Sequence, residues 1–520
     1  MKNTPASTAG NGRPRYLRRA ARVVTIVLAC CIVLPAAASA AKPNIVIILA
    51  DDFGWGDTSC NNPKSQLPTP AIDRIAKEGI RFTNAHTPAA VCSPSRYGLL
   101  TGRYPWRTYL KIGGMNGYVP ALIPKGRATI ASYLKTQGYR TGGFGKWHLG
   151  LGWPLKEGGT VGWSANWDFN IGRAKSKKYS KTFGQSIDLS KPLQNSPVDL
   201  GFDTYFGTVA NGTKYPYYMQ DNRILVESPG PVRNQVDDIY VAKAIAFIEN
   251  HEKNHPNSPF FVYLPLNAIH GAVSPPKRYV GKSKLSSRED KILWANESVE
   301  AMLATLDRLK LTSDTLVIFT ADNGPIHSEA GRQKGHLAAG PYRGFKTNFW
   351  EGGTHVPFLA RWPKHIPAGV STDHMIGLVD VFATIAALSD STLPDGAAPD
   401  SVNQLPALLQ DKGKIVKRPA LVTASYNGFL AIRQHQWKAL FGTKWSGGIH
   451  STNYGSLPPK DIPPDSSDIG QLYNIADDPY ETKDLWESNP EVVETLRNTL
   501  QKIKNQHASD PLPETTTSKQ

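Results

Sequence analysis

Three stretches of the chain are nearly unbroken apolar runs: 44–50, 259–266 and 315–320. Their density of Val, Ile and Phe predicts strands buried on both faces. A fourth, shorter run at 139–144 reads as another strand. Between the runs lie segments with apolar residues at helical spacing. Thr69-Pro70 opens one, Ile72, Ile75 and Ala76 fall on one side of it, and Gly79 stops it. Further helices are predicted over 130–137, 236–250, 290–309 and 380–388. Strands alternating with helices in this way predict an α/β fold, a large mostly parallel sheet flanked by helices on both faces. From about residue 418 the pattern changes. Short strands at 420–423, 429–433, 437–440 and 471–473, then a helix over 490–504, predict a small C-terminal antiparallel sheet with one helix.

These breaks divide the chain into four: a signal peptide (1–40), a large α/β domain (41–415), a C-terminal α+β subdomain (416–506) and a disordered tail (507–520). The first 40 residues carry a basic region to Arg22, an apolar run from Val23 to Leu34 and the small residues Ala36 to Ala40. That order predicts export and cleavage after Ala40, into the periplasm or the extracellular space. The apolar run is short for a membrane span, and no later segment resembles one. Residues 151–200, rich in Gly, Trp, Lys and Ser, predict surface loops near the site. The lysine-rich run 175–181 within them reads as a solvated loop or a contact for an anionic polymer.

Composition then narrows the chemistry. The formal net charge is +16, of which the leader's Lys2 and five arginines supply six. The rest suits an anionic substrate, and no basic stripe interleaved with aromatics points to nucleic acid. Of four cysteines, Cys30 and Cys31 belong to the leader, leaving Cys60 and Cys92. In an exported protein the plain expectation is one disulfide between them. Two Asn-x-Ser/Thr triplets, at Asn211 and Asn296, are candidate glycan acceptors in a eukaryotic host.

All four strands are closely followed by polar residues: Asp51-Asp52, Lys146 and His148, His270, and Asp322-Asn323. In open α/β sheets ligands bind beyond the carboxyl ends of the strands, so parallel strands would bring these residues to one edge. Three carboxylates and an amide form a hard oxygen site suited to Ca²⁺, with Mg²⁺ the second choice. A cation also accounts for three acids tolerating one another. For Asp51-Asp52 taken alone, a turn or a helix cap is the simpler reading.

The densest motif lies elsewhere. From Cys92 to Arg103 the chain reads Cys-Ser-Pro-Ser-Arg-Tyr-Gly-Leu-Leu-Thr-Gly-Arg. Ser93-Pro94 predicts a helix start, which places Cys92 where backbone N–H groups and the helix dipole favour negative charge. Arg96 follows one turn on. A cysteine there is either an activated nucleophile or an ordinary buried thiol.

This stretch resembles, without a gap, the signature of the type I sulfatases, formylglycine-dependent enzymes of the alkaline phosphatase superfamily. The resemblance extends across nearly the whole mature chain: Asn44 to Asp52, Gly145-Lys146-Trp147-His148-Leu149-Gly150, Asp322-Asn323-Gly324, and Tyr342 to Lys346 followed by Glu351-Gly352-Gly353. It implies that a formylglycine-generating or radical maturation enzyme oxidises Cys92 to formylglycine, whose hydrate attacks sulfur. It further implies metal ligation by Asp51, Asp52, Cys92, Asp322 and Asn323. Arg96 would hold the nucleophile and Lys146 and Lys346 the sulfate, while His270 protonates the leaving oxygen and His148 deprotonates the second hydroxyl. His355 stands where many relatives have Arg, a subfamily difference. The expected activity is hydrolysis of sulfate esters on sulfated carbohydrates or aryl compounds. The alternatives are a related metal-dependent phosphatase or phosphodiesterase, and a secreted glycan-binding pseudoenzyme if Cys92 stays a thiol. If Cys92 is converted, no Cys60–Cys92 disulfide can form.

Overall fold

A computed structural model describes residues 42–115, 118–161, 186–211, 218–224, 233–389, 391–442 and 470–506. The leader, the lysine-rich run and the C-terminal tail lie outside the described residues. The main sheet has ten strands in the order β11-β2-β10-β9-β1-β8-β4-β5-β6-β7. Its parallel centre comprises β9 (Thr315–Ala321), β1 (Asn44–Ala50), β8 (Phe260–Pro265), β4 (Arg140–Phe144) and β5 (Thr204–Thr208). Beyond β9, β10 (Phe358–Arg361) runs antiparallel to it and to β2 (Ile80–Phe82), which pairs in parallel with β11 (Val370–Thr372). Beyond β5, β6 (Tyr218–Gln220) and β7 (Arg223–Ile224) form antiparallel pairs. A separate two-stranded ladder joins β3 (Ala85–His86) to β12 (Ile376–Gly377).

The predicted burial of β1 on both faces is observed, and the two faces serve two cores. Ile45, Ile47 and Leu49 pack into one apolar cluster, and Val46, Ile48 and Ala50 into the other. Successive side chains of a strand point to opposite faces, so each core receives alternate residues. The first core takes in Tyr97, Leu99 and Leu100 of α2 (Cys92–Thr101) and Ile130 and Leu134 of α3 (Ile130–Thr136). The second takes in α1 (Pro70–Lys77), α4 (Val236–Asn254) and α5 (Ser287–Arg308) through Ile72, Ile75, Tyr240, Ile248, Ile292 and Met302.

The 151–200 segment departs from its expectation. Leu151, Trp153, Val161, Ile187, Leu193 and Leu200 are buried in the first core, so its described flanks are anchored in the interior while 156–159 and 190–192 are exposed. The Asn296 triplet departs too. The Asn296 side-chain oxygen accepts the N–H groups of Ala71 and Ile72 at 3.0 and 3.2 Å, capping α1, and Ser298 is buried. Cys60 and Cys92 are both free, so the disulfide expectation fails.

After residue 416 the expected antiparallel sheet is present: β13 (Leu421–Ala424), β14 (Leu430–Gln434), β15 (Trp437–Phe441) and β16 (Gln471–Asn474), in that order. The last helix, Pro490–Gln506, packs Val493, Leu496 and Leu500 against Leu421, Ile432 and Leu472.

Candidate active site

The carboxyl ends of four parallel strands meet where the alternation predicts. β1 delivers Asp51 and Asp52, β9 delivers Asp322 and Asn323, β4 delivers Lys146 and His148, and β8 delivers His270. Asp52 and His148 sit at φ 62° and 60°, a left-handed conformation that Asp and His tolerate better than most residues. At the end of β4, Gly145 has φ 147°, and a Cβ there would lie 2.0 Å from the Pro265 carbonyl oxygen. Only glycine lets β4 turn so close to β8. The turn is held by the Lys146 N–H on that same oxygen, at 2.8 Å.

Cys92 begins α2, with Val91 in the cap position. The helix therefore starts two residues earlier than Ser93-Pro94 suggested, and Ser93 is not its cap. The Ser93 hydroxyl instead accepts the Met115 N–H at 3.0 Å. Every residue of α2 is buried, Arg96 completely. Arg96 bridges the elements: Nε donates to Asp322 Oδ2 at 2.8 Å, Nη2 lies 2.7 Å from Asp322 Oδ2 and 3.6 Å from Asp51 Oδ2, and Nη1 donates to the Lys146 carbonyl at 2.7 Å.

Lys146 Nζ lies 2.5 Å from Asp51 Oδ2, and Lys346 Nζ donates to Asp52 Oδ1. The Lys346 loop is tied down by its own N–H on Pro325 O and by the Thr347 N–H on Ala90 O, both at 2.8 Å. Three acids and three cations thus share one buried pocket. Burial pushes the Asp322 carboxyl up to about 6, with neighbouring Asp51 adding to the rise. Burial would also raise Asp52, but Lys346, His270 and Lys146 together outweigh it and hold that carboxyl below the usual range. The Cys92 thiol is raised by burial, against the pull of Lys146 and Lys346.

The donor set fits a divalent cation. Asp51 Oδ1, Asp52 Oδ2 and Asn323 Oδ1 are buried and have no hydrogen-bond partner among the described residues. Asp51, Cys92 and Asp322 offer ligand atoms within 4.8 Å of one another, as do Asp51, Asp52 and His270. Buried carboxylate oxygens left bare are costly unless an ion takes them. Oxygen donors of this kind select a hard cation.

The two histidines are set differently. His148 Nε2 lies 2.5 Å from the Met115 carbonyl and therefore carries the hydrogen, while the buried Nδ1 has no hydrogen-bond partner among the described residues. Burial, reinforced by Lys146 and Arg96, keeps this ring neutral, its pKa well below the ordinary value. His270 Nδ1 accepts the Ala272 N–H at 3.0 Å, so Nε2 carries the hydrogen, 3.9 Å from Asp52 Oδ2. Burial depresses its pKa to about 3.

Some supporting residues gave no sequence signal. Asp57 accepts Arg288 at 2.6 Å, His336 at 2.8 Å and the Gly54 N–H at 2.7 Å, bracing the loop that carries Asp52. Arg288 and Lys291 are charged residues on an amphipathic helix, a pattern that ordinarily marks the solvent face. His355 lies outside the constellation: its Nε2 is 2.7 Å from the Thr83 carbonyl and its Nδ1 is 3.4 Å from Glu351.

An α/β sheet whose edge gathers a helix-borne nucleophile position, a hard-cation pocket and basic side chains defines a hydrolase of anionic esters. The sulfatase family profile matches residues 43–391. The chain is 33% identical over 516 residues to an N-acetylgalactosamine-6-O-sulfatase of Bacteroides thetaiotaomicron, covering 89% of this chain and 93% of that protein. It is 32% identical to human arylsulfatase A, covering 89% and 88%. A solved sulfatase structure from work on glycosaminoglycan metabolism by Bacteroides thetaiotaomicron superposes with a TM-score of 0.75 at 29% identity, covering 90% of this chain and all of that one. The chain belongs to the sulfatase family and is a sulfuric ester hydrolase, of a family that works through formylglycine and a divalent metal. No helix among the described residues is long and apolar enough to cross a membrane.

Proposed function

We propose that the protein is an exported sulfatase acting on sulfated carbohydrate, with Cys92 matured to formylglycine and Ca²⁺ held by Asp51, Asp52, Asp322, Asn323 and residue 92. The observation that carries this reading is the set of bare buried oxygens of Asp51, Asp52 and Asn323 around Cys92 at the start of α2. The carbohydrate preference draws on the relative named for N-acetylgalactosamine 6-O-sulfate. Residues 41–415 form the catalytic domain in this reading, and 416–506 the subdomain that packs beside it.

When bound, the cation lowers the pKa of an attacking hydroxyl and neutralises charge on sulfate oxygens. Formylglycine at residue 92 would supply, as its hydrate, one hydroxyl as the nucleophile and a second that, on deprotonation, would restore the aldehyde as the C–O bond to sulfate breaks. The chain's own side chains do the rest. Arg96, fixed between Asp322 and Asp51, orients the helix terminus that carries residue 92. Lys146 and Lys346 are point charges on flexible stems, able to turn from the carboxylates to sulfate oxygens. His148 offers its bare Nδ1 as the base for the second hydroxyl. His270, neutral in the free site because it is buried, acts once it carries a second proton beside the bound anion, and donates from Nε2 to the departing oxygen.

Mass spectrometry of the peptide containing residue 92, from protein produced with a maturation enzyme, should show loss of the thiol and gain of an aldehyde. N-acetylgalactosamine 6-sulfate and 4-nitrophenyl sulfate should be hydrolysed, the matching phosphate poorly. A retained thiol without turnover would favour the glycan-binding pseudoenzyme, and a preference for phosphate the phosphatase.

A further inference from the structure

The chemistry above leaves unused a fully buried carboxylate, Asp237, in the first turn of α4. Its two oxygens accept consecutive backbone N–H groups, Asn267 at 2.8 Å and Ala268 at 2.7 Å. Those residues begin the short strap from β8 to His270. The Asn267 amide continues the anchor, donating to Tyr240 Oη at 3.0 Å and Thr208 Oγ1 at 3.3 Å. On its other side the strap is laced to Asp51: the Asp51 N–H meets Ala268 O at 2.9 Å, and the Ile269 N–H meets Asp51 O at 2.8 Å. At the far end Lys291 Nζ, from α5, donates to the His270 carbonyl at 2.8 Å and to Val273 O at 3.3 Å.

Burying a carboxylate and an ammonium is costly, and neither contacts an opposite charge directly. The two strap amides are taken by two different oxygens of one side chain, which an aspartate offers and a serine or an asparagine does not. Charge-assisted bonds from two different helices fix both ends of a four-residue segment. Its last residue is the imidazole facing Asp52.

We propose that Asp237 and Lys291 are positioning residues that together set the His270 ring for donation to the leaving oxygen. The inference rests on the role given to His270 above. It predicts an effect that depends on the leaving group, because an acidic phenol departs without help and a poor one does not.

The test compares 4-nitrophenyl sulfate, whose leaving group is good, with phenyl sulfate, whose leaving group is poor. Asp237→Asn keeps the shape but loses one acceptor. It should lower kcat on phenyl sulfate by roughly 30-fold and on 4-nitrophenyl sulfate by less than about 3-fold, with KM little changed. Lys291→Met should give the same split, more weakly. In a His270→Gln background Asp237→Asn should have no further effect, which a general loss of folding would not reproduce. Equal losses on both substrates, or additive losses in the double variant, would overturn the proposal. If Asp237→Asn does not fold, Tyr240→Phe, which removes only the hydroxyl under Asn267, carries the same split. A crystal structure of the folded variant gives a readout independent of turnover: an unmoved His270 ring would also overturn the proposal. A wild type with a retained Cys92 thiol and no sulfatase turnover would defeat the functional reading itself, whereas an active wild type without the split would defeat this inference alone.

Discussion

Two buried clusters in this protein look alike by geometry and differ in what they can hold. One is the strand-end cluster of Asp51, Asp52 and Asp322. The other joins His86, Glu351 and His355, whose potential ligand atoms lie within 4.8 Å of one another, as do those of Asp51, Asp322 and Cys92 in the first. In the second cluster the acid is already answered by the C-terminal sheet. Lys438 donates to Glu351 Oε1 at 2.9 Å and Arg433 to Oε2 at 3.0 Å, while the Glu351 N–H donates to Glu481 at 2.6 Å. In the first cluster Asp51 Oδ1 and Asp52 Oδ2 remain bare despite three nearby cations, as does Oδ1 of the adjoining Asn323. Both clusters hold cations, so what separates them is the unpartnered oxygens: a divalent ion would find oxygens free to take in the first, whereas in the second both Glu351 oxygens are already engaged by Lys438 and Arg433. Proximity of ligand types is therefore a weak sign of a metal site, and unmatched oxygens are a strong one.

The largest test of this contrast is loss of the first cluster's charge. Asp322→Ala should cut kcat/KM by roughly 10³-fold, and a chelator should do the same to the wild type, with Ca²⁺ restoring it. Rescue of the chelated enzyme by Mg²⁺ alone would shift the metal assignment. At the second cluster, Lys438→Met should destabilise the fold by about 3–5 kcal/mol in urea unfolding, because it removes the cation 2.8 Å from buried Glu481 and leaves Glu351 with Arg433 as its remaining basic partner on the C-terminal sheet. A chelator should leave that loss unchanged; a chelator-dependent loss would mean the second cluster binds metal after all. His148→Ala should lower kcat by about 100-fold with little change in melting temperature.

The smallest effect is one of pH. Burial, with His355 and Arg433 adding and Glu351 opposing, holds His86 well below its ordinary value of 6.5. The unfolded chain then binds a proton that the folded chain refuses, so stability falls as pH drops below 6.5. One such histidine contributes a slope of about 1.4 kcal/mol per pH unit. His86→Gln should flatten the denaturation profile by that amount. An unchanged slope would place the acid sensitivity on His148 or His270 instead.

How much of this was legible follows from what each residue had to do. A strand buried on both faces must be apolar, so its end is abrupt, and the residues after Ala50 and Ala321 stood out. The basic and imidazole groups after β4 and β8 were found for the same reason. Asp237, Arg288 and Lys291 were invisible because a charged residue on an amphipathic helix ordinarily meets water. The helix α5 also starts a few residues before the 290 that the apolar spacing predicts. Ser286 caps the helix at the Arg288 N–H, 3.2 Å away, which brings Arg288 within the helix. Asn296 shows the converse error, where a recognisable triplet proved to be a cap for a neighbouring helix.

The order of strands in the sheet has a kinetic consequence. The first strand pairs with two partners more than 200 residues downstream, Ile45 with Phe261 and Asn44 with Thr315. Contacts this distant in sequence must wait for large loops to close, which makes folding slow and leaves intermediates with exposed strand edges. No fragment ending before β9 holds both halves of the acid cluster, so truncated chains should be inert rather than weakly active. The pocket is among the last features to exist as the chain folds, and its chemistry is a property of the completed sheet.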